Sequence, residues 1–204
     1  MKKLLLIIFL LIPALGFSQS MNAVDLGLSV KWASCNVGAT KPEGAGEFYA
    51  WGEVRIKKTF NFHTYFDTCD NARSFTKYRN NGGKTVLGPA DDIASIKLGG
   101  KWRMPTKSEM EELRQNCRWK WTKRNGVKGY NITSKKNGKT IFLPAAGSRV
   151  DSGSNFVNSC GYYWSSTLYS DADAFAYGFS FSSEEANVIF FDRDFGRCIR
   201  AVCP

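Results

Sequence analysis

Residues 105–143, PTKSEMEELRQNCRWKWTKRNGVKGYNITSKKNGKTIFL, contain the change of period that decides the fold. Thr106-Lys107-Ser108-Glu109 has capping-box spacing, in which a Thr hydroxyl and a Glu carboxylate each satisfy a backbone N–H left unpaired by the first helical turn. Pro105 stands just before it, and Met110 is placed to pack against that proline. Met110, Leu113 and Cys117 then recur at helical spacing, which predicts a helix from 107 to about 117 with one apolar face. Beyond Cys117 the period switches to that of strands. Asn125-Gly126 and Asn137-Gly138 are each flanked by strand-like segments, the strongest short-range hairpin signal. The expectation is a meander of about 118–123, 127–134 and 139–143.

Upstream, Val24 to Trp32 alternates apolar and polar residues with Leu26, Leu28, Val30 and Trp32 on one face, so it reads as a strand. Residues 55–88 are polar, aromatic and without clear period, and read as a long structured loop. Pro89-Ala90-Asp91-Asp92 opens a short helix whose acids complement the helix dipole, and Gly99-Gly100 closes it. Downstream, Phe175, Tyr177, Phe179 and Phe181 take every second position, a strand with its large-residue face against the core. Asn187–Phe191 and Arg197–Val202 read as two final strands around an Asp192–Gly196 turn. Two short helices in the middle, antiparallel sheets and long loops together predict an α+β fold in one domain, 22–204.

At the amino terminus, Lys2 and Lys3 precede an apolar run from Leu4 to Leu15, and Gly16 and Ser18 supply small residues for cleavage before Gln19. Residues 1–18 therefore read as a signal peptide, with an apolar run too short for the roughly 20 residues that span a membrane. The expected location is outside the cytoplasm: periplasmic, cell-surface or secreted. The first cysteine, Cys35, lies far from the cleavage site, which argues against a lipid anchor. The formal charge of +10, less Lys2 and Lys3, leaves +8. Such a balance suits an anionic polymer, but the clusters Arg55–Lys58, Lys120–Arg124 and Lys135–Lys139 read first as solvated faces, and nucleic acid is not expected as the main partner. The six cysteines, Cys35, Cys69, Cys117, Cys160, Cys198 and Cys203, are an even set that in an oxidising compartment predicts up to three bridges.

Groups for catalysis are scarce. His63, the one histidine, sits in an aromatic loop stretch, and without CxxC pairs a Cys₂His₂ zinc site is not expected. Gly82-Gly83-Lys84-Thr85 lacks the first glycine of a P-loop and reads as a turn. Asp171/Asp173 and Asp192/Asp194 read as turn chemistry in preference to calcium ligands. Cys198 and Cys203, five apart in a strand, point to opposite faces and are expected to staple the C-terminal strand to earlier elements. No cofactor is expected. Aromatic rings interleaved with Asp, Asn, Ser and Arg near the end suit sugar or protein surfaces; Tyr169 and Phe195, both in turn-rich sequence, are the better candidates for exposure.

Several motifs together resemble a known family. Val24-Asp25-Leu26-Gly27-Leu28-Ser29-Val30-Lys31-Trp32-Ala33-Ser34-Cys35-Asn36-Val37-Gly38-Ala39, Tyr49-Ala50-Trp51-Gly52-Glu53, Gly100-Lys101-Trp102-Arg103-Met104-Pro105-Thr106, Phe142-Leu143-Pro144-Ala145-Ala146-Gly147, Tyr163-Trp164-Ser165-Ser166 and the closing Ile199-Arg200-Ala201-Val202 are similar to segments of the Fibrobacter succinogenes major paralogous domain family of Bacteroidetes. The match runs from about 24 to 202, with Ala201 where the family has proline. The resemblance implies a C-type lectin-like scaffold whose C-terminal strands and loops display a binding surface. Carried over, residues 168–173 and 187–195 become the ligand face, with Tyr169, Ser170, Asp171, Asp173, Phe190, Asp192, Arg193, Asp194 and Phe195 as candidate contacts. The calcium-binding tripeptides of animal C-type lectins are absent, so calcium-dependent sugar binding does not transfer. The Cys198/Cys203 spacing matches the thiol pair of the related formylglycine-generating enzymes, a match read as coincidence because Cys198 belongs to the final strand. The leading expectation is a non-enzymatic binding or adhesin-type module for glycan or protein. Its rivals are a thiol-dependent oxidoreductase using Cys198 and Cys203, and a structural part of a surface assembly docking on anionic polymer.

Overall fold

The computed structural model describes residues 21–66, 68, 69 and 74–204. The expected signal peptide, 1–18, and the side chain of Cys69 lie outside the described residues. Among those described, strands β1 (Ala23–Val24), β2 (Lys31–Ala33), β3 (Thr68–Cys69) and β4 (Ser74–Phe75) precede two helices, α1 (Ile93–Leu98) and α2 (Lys107–Asn116). Nine strands follow: β5 (Cys117–Arg124), β6 (Val127–Ser134), β7 (Thr140–Pro144), β8 (Ser148–Val150), β9 (Gly153–Asn155), β10 (Gly161–Leu168), β11 (Phe175–Phe181), β12 (Ala186–Asp192) and β13 (Val202–Cys203).

The capping box forms as its spacing predicts. Thr106 Oγ1 accepts the Glu109 N–H at 3.3 Å, and Glu109 Oε2 accepts the Thr106 N–H at 2.8 Å. Arg103 grips the same carboxylate through Nη1 (2.8 Å) and Nη2 (2.5 Å). Met110 and Leu113 bury the inner face of α2. The chain then turns directly into the meander β5–β6–β7, whose first turn holds Asn125 and Gly126 at φ 47° and 87°. Both central residues at positive φ is the twist that closes a two-residue hairpin.

Three expectations are corrected. The fold is mainly β: the described residues form five small antiparallel sheets against two α-helices of 6 and 10 residues. The α+β, C-type lectin-like assignment is overturned, because the helices are too few and short to form a layer of their own. Val24–Trp32 is not one strand either. Asp25 Oδ1 accepts the Gly27 N–H at 2.7 Å, and Gly27 takes φ 69°, so the chain folds back and β2 pairs with β1 through Ala23↔Ala33 and Val24↔Trp32. Finally, the cysteines Cys35, Cys117, Cys160, Cys198 and Cys203 are all free thiols. Each has settled into its own surroundings: Cys117 and Cys198 pack in the core, and Cys198 donates to the Ala45 carbonyl at 3.3 Å.

The organising element is the sheet β10–β11–β12, which contributes to the core from both faces. One face, through Tyr163, Phe179 and Phe181, packs with α2 and the meander around Trp32, Met110, Leu113, Tyr130 and Ile132. The other, through Trp164, Leu168 and Ala176, packs with Trp51, Tyr78, Ile93 and Met104. Three arginines of the C-terminal segment are also buried. Arg200, 1% exposed, donates to Asn36 Oδ1 and to the carbonyls of Ala33, Ser34 and Phe142 at 2.8–3.1 Å. The guanidinium thus ties the last strand to the N-terminal hairpin and the meander without any acid as partner.

Candidate functional site

The alternation of β11 puts Phe175, Tyr177, Phe179 and Phe181 on one face, but only the last two are buried. The other two stay half-buried at the Phe175 end of the strand. Tyr177 pairs with Phe190 of β12, and Phe175 with Asp192. The Tyr169 ring stacks on Phe190, with centroids 4.1 Å apart and planes at 26°. Phe175 stands 5.4 Å from Phe190, and Tyr177 5.3 Å from Tyr169, both edge-on. At 44% exposure Phe190 is open to solvent, while the other three rings are half-buried. Four rings therefore form a continuous aromatic platform. Edge-to-face and offset contacts of this kind are favoured by the ring quadrupoles, at about 0.5–1.5 kcal/mol per pair beyond burial.

Polar groups edge the platform. Asp171 accepts the Tyr169 hydroxyl at 3.0 Å and the Ser170 hydroxyl at 2.8 Å. That carboxylate holds the Tyr169 phenol proton in place and raises its pKa above the ordinary value. On the opposite side the Lys107 ammonium lies 4.0 Å from the Tyr177 centroid, a cation–π contact delivered by the first residue of α2. The loop carrying Tyr169–Asp173 is pinned: Tyr169 N–H donates to the Phe175 carbonyl (3.0 Å), Asn80 Nδ2 to the Tyr169 carbonyl (3.0 Å), and the Asn80 N–H to Asp173 Oδ1 (2.8 Å). A rigid aromatic surface with fixed acceptors and one cation can bind a ligand at low ordering cost.

The nine residues expected on the ligand face divide into four groups. Tyr169, Ser170, Asp171 and Phe190 come together in the platform. Asp173 and Arg193 are turned to structural work. Asp173 holds Asn80, and Arg193, expected to be a contact, is 1% exposed. Its Nε donates to Tyr65 Oη (3.0 Å) and its Nη1 to the carbonyls of Tyr78 (3.2 Å) and Asp173 (2.9 Å), among the rings of Phe75, Trp51 and Tyr65. Asp192 and Asp194 border a depression of only about 10 Å³ beside Phe62 and Phe75, room for no more than one water. Phe195 is half-buried, 5.8 Å from the Arg197 guanidinium. Lys107, Phe175 and Tyr177 are the platform residues that sequence reasoning missed.

Other groups weighed for chemistry are placed as follows. Cys198 is fully buried, and burial pushes its thiol pKa up to about 12. A thiol nucleophile needs the reverse, a lowered pKa and access. Cys203 lies in β13 opposite Lys31. His63 is exposed in a single 3₁₀ turn, Phe62–Thr64. Among the described residues no three His, Cys, Asp or Glu side chains gather as a metal would require, and no helix is long and apolar enough to cross a membrane.

A family profile described as a domain of unknown function (DUF8237) matches residues 121–202, a span that holds every platform residue except Lys107. No curated protein and no solved structure matches the chain.

Proposed function

We propose that the protein is an exported binding module of adhesin type, without a reaction of its own, that recognises a glycan through the platform of Tyr169, Phe175, Tyr177 and Phe190. The observation that carries the reading is the stacked Tyr169–Phe190 pair, exposed on one side and edged by Asp171, Ser170 and Lys107. A pyranose ring has an apolar face for such rings and hydroxyls for a carboxylate, a hydroxyl and an ammonium. A protein ligand would use the same rings, which are the residue types enriched at interface centres. The proposal includes kinship with the Fibrobacter succinogenes major paralogous domain family, on the motifs quoted above, and export by the N-terminal segment.

The test is a glycan and extracellular-matrix array probed with the mature chain, followed by titration calorimetry of the best ligand. Tyr169→Ala and Phe190→Ala should each weaken binding by roughly tenfold, about 1.4 kcal/mol, while the melting temperature changes little. Undiminished affinity in both variants would place the binding face elsewhere.

A further inference from the structure

A second concave feature lies away from the platform. It is a groove of about 500 Å³ lined by Glu47, Phe48, Ile56, Lys57, Lys58, Phe60, Arg149 and Ser152, within the size range of small-ligand sites. Its charge is one-sided. Glu47, the one carboxylate of the lining, is already taken by the Lys97 ammonium and the Tyr49 hydroxyl. Lys57 is committed too, to Glu53 at 2.8 Å and to the Thr64 carbonyl at 3.1 Å. Arg149 and Lys58 are left to face the groove. Lys58 is exposed and makes no ion pair or hydrogen bond among the described residues.

Arg149 is held as a binding residue would be. Its backbone exchanges two hydrogen bonds with Gly196, at 2.8 and 2.9 Å. Its guanidinium lies 5.0 Å from the Phe48 centroid, and Nη1 reaches Ser154 Oγ, leaving Nε and Nη2 without an acceptor among the described residues. A guanidinium fixed by an aromatic face with one fork open suits a planar or tetrahedral oxyanion. Ile56, 63% exposed, adds an apolar wall.

We propose that this groove is a separate site for an acidic sugar unit of a polysaccharide, its carboxylate or sulfate on Arg149 and Lys58 and its ring against Ile56. The lining favours a sugar over a nucleic acid strand, because bases need open aromatic faces to stack upon. Here Phe60 is buried and Phe48 is already covered by Arg149.

Calorimetry on the full mature chain tests this with trigalacturonate, its methyl ester, a heparin-derived hexasaccharide and a single-stranded oligonucleotide. At least one acidic sugar should bind; trigalacturonate alone would assign a carboxylate, the heparin fragment alone a sulfate. Where trigalacturonate binds, its ester should be weaker by about tenfold or more. Lys58→Glu, on an exposed side chain that supports nothing in the fold, should weaken acid binding by a similar factor, as should Arg149→Met. Tyr169→Ala should leave it unchanged, so failure here is separable from failure of the platform. Absence of binding by both acidic sugars, equal binding of acid and ester, full affinity in Lys58→Glu, or an oligonucleotide that binds as well as the sugars would each overturn the assignment.

Discussion

Replacing Arg193 by Met tests whether the last turn before β13 holds the fold or meets the ligand. The substitution keeps an unbranched stem and removes the guanidinium. In the folded chain that group donates to Tyr65 Oη and to the carbonyls of Tyr78 and Asp173, among other contacts, with the Phe75 centroid 4.4 Å away. Each buried acceptor left without a donor costs about 1–3 kcal/mol. Removing a buried cation returns part of that sum, so the net loss should be about 3–4 kcal/mol. For a chain of this size each kcal/mol moves the melting temperature by roughly 2–4 °C, which predicts a fall of about 6–16 °C by calorimetry or near-UV dichroism. Tyr169→Ala, in a half-buried surface ring, should stay within about 4 °C. The reasoning fails if Arg193→Met melts like the parent chain and yet loses ligand binding, since Arg193 would then be a contact residue despite its burial.

Further outcomes are expected. Arg200→Met should destabilise by about 3 kcal/mol or more, for the same reason at four acceptors. Arg197→Met should be close to neutral in urea unfolding, because Arg197 is 4% exposed and its Nε and Nη1 meet no acceptor among the described residues. Gly178→Ala should cost about 1–3 kcal/mol, since an added Cβ would stand 2.2 Å from the Tyr163 carbonyl oxygen. Burial alone would raise the Glu109 carboxyl, but the Arg103 fork and the Thr106 N–H outweigh it and hold the pKa low. A depressed folded pKa means this stabilisation is complete above the unfolded Glu value near about 4.3 and is lost as pH falls through the folded value. Glu109→Gln should therefore flatten the acid limb of the stability curve, read from urea midpoints between about pH 5 and pH 3. Thiol labelling of the native chain should spare Cys117 and Cys198, whose burial raises both pKa values, to about 11 and about 12.

What was legible in the sequence was what is local. The capping box at Thr106–Glu109 and the Asn125-Gly126 turn each depend on a few neighbouring residues, and both elements form within a residue or two of their expected bounds. The break at Asp25–Gly27 was hidden by alternation that continues across it, although Asp and Gly two apart carry the signal of a side-chain turn. The strand β13 is two residues long and exists through pairing with β2, about 170 residues away in sequence. The candidate site was half visible. Alternation assigned Phe175 and Tyr177 to the core, yet alternation fixes only the face of a strand, and on that face these two rings stay half-buried beside Tyr169 and Phe190. Burial of Arg193 could not be read from composition, because its acceptors at Tyr65, Tyr78 and Asp173 lie far from it in sequence or are backbone carbonyls, which any residue carries.

The grip of Arg200 on Ala33, Ser34, Asn36 and Phe142, together with β13 lying against Lys31–Trp32, has a practical consequence for dissection. A fragment cut at 121 and 202 would carry nearly the whole platform but strand a charged side chain, three of whose four acceptors remain on the discarded piece, and a strand edge that has lost β2. Such a fragment should precipitate or stay unstructured. Supplying residues 21–120 as a second polypeptide is the rescue most worth attempting.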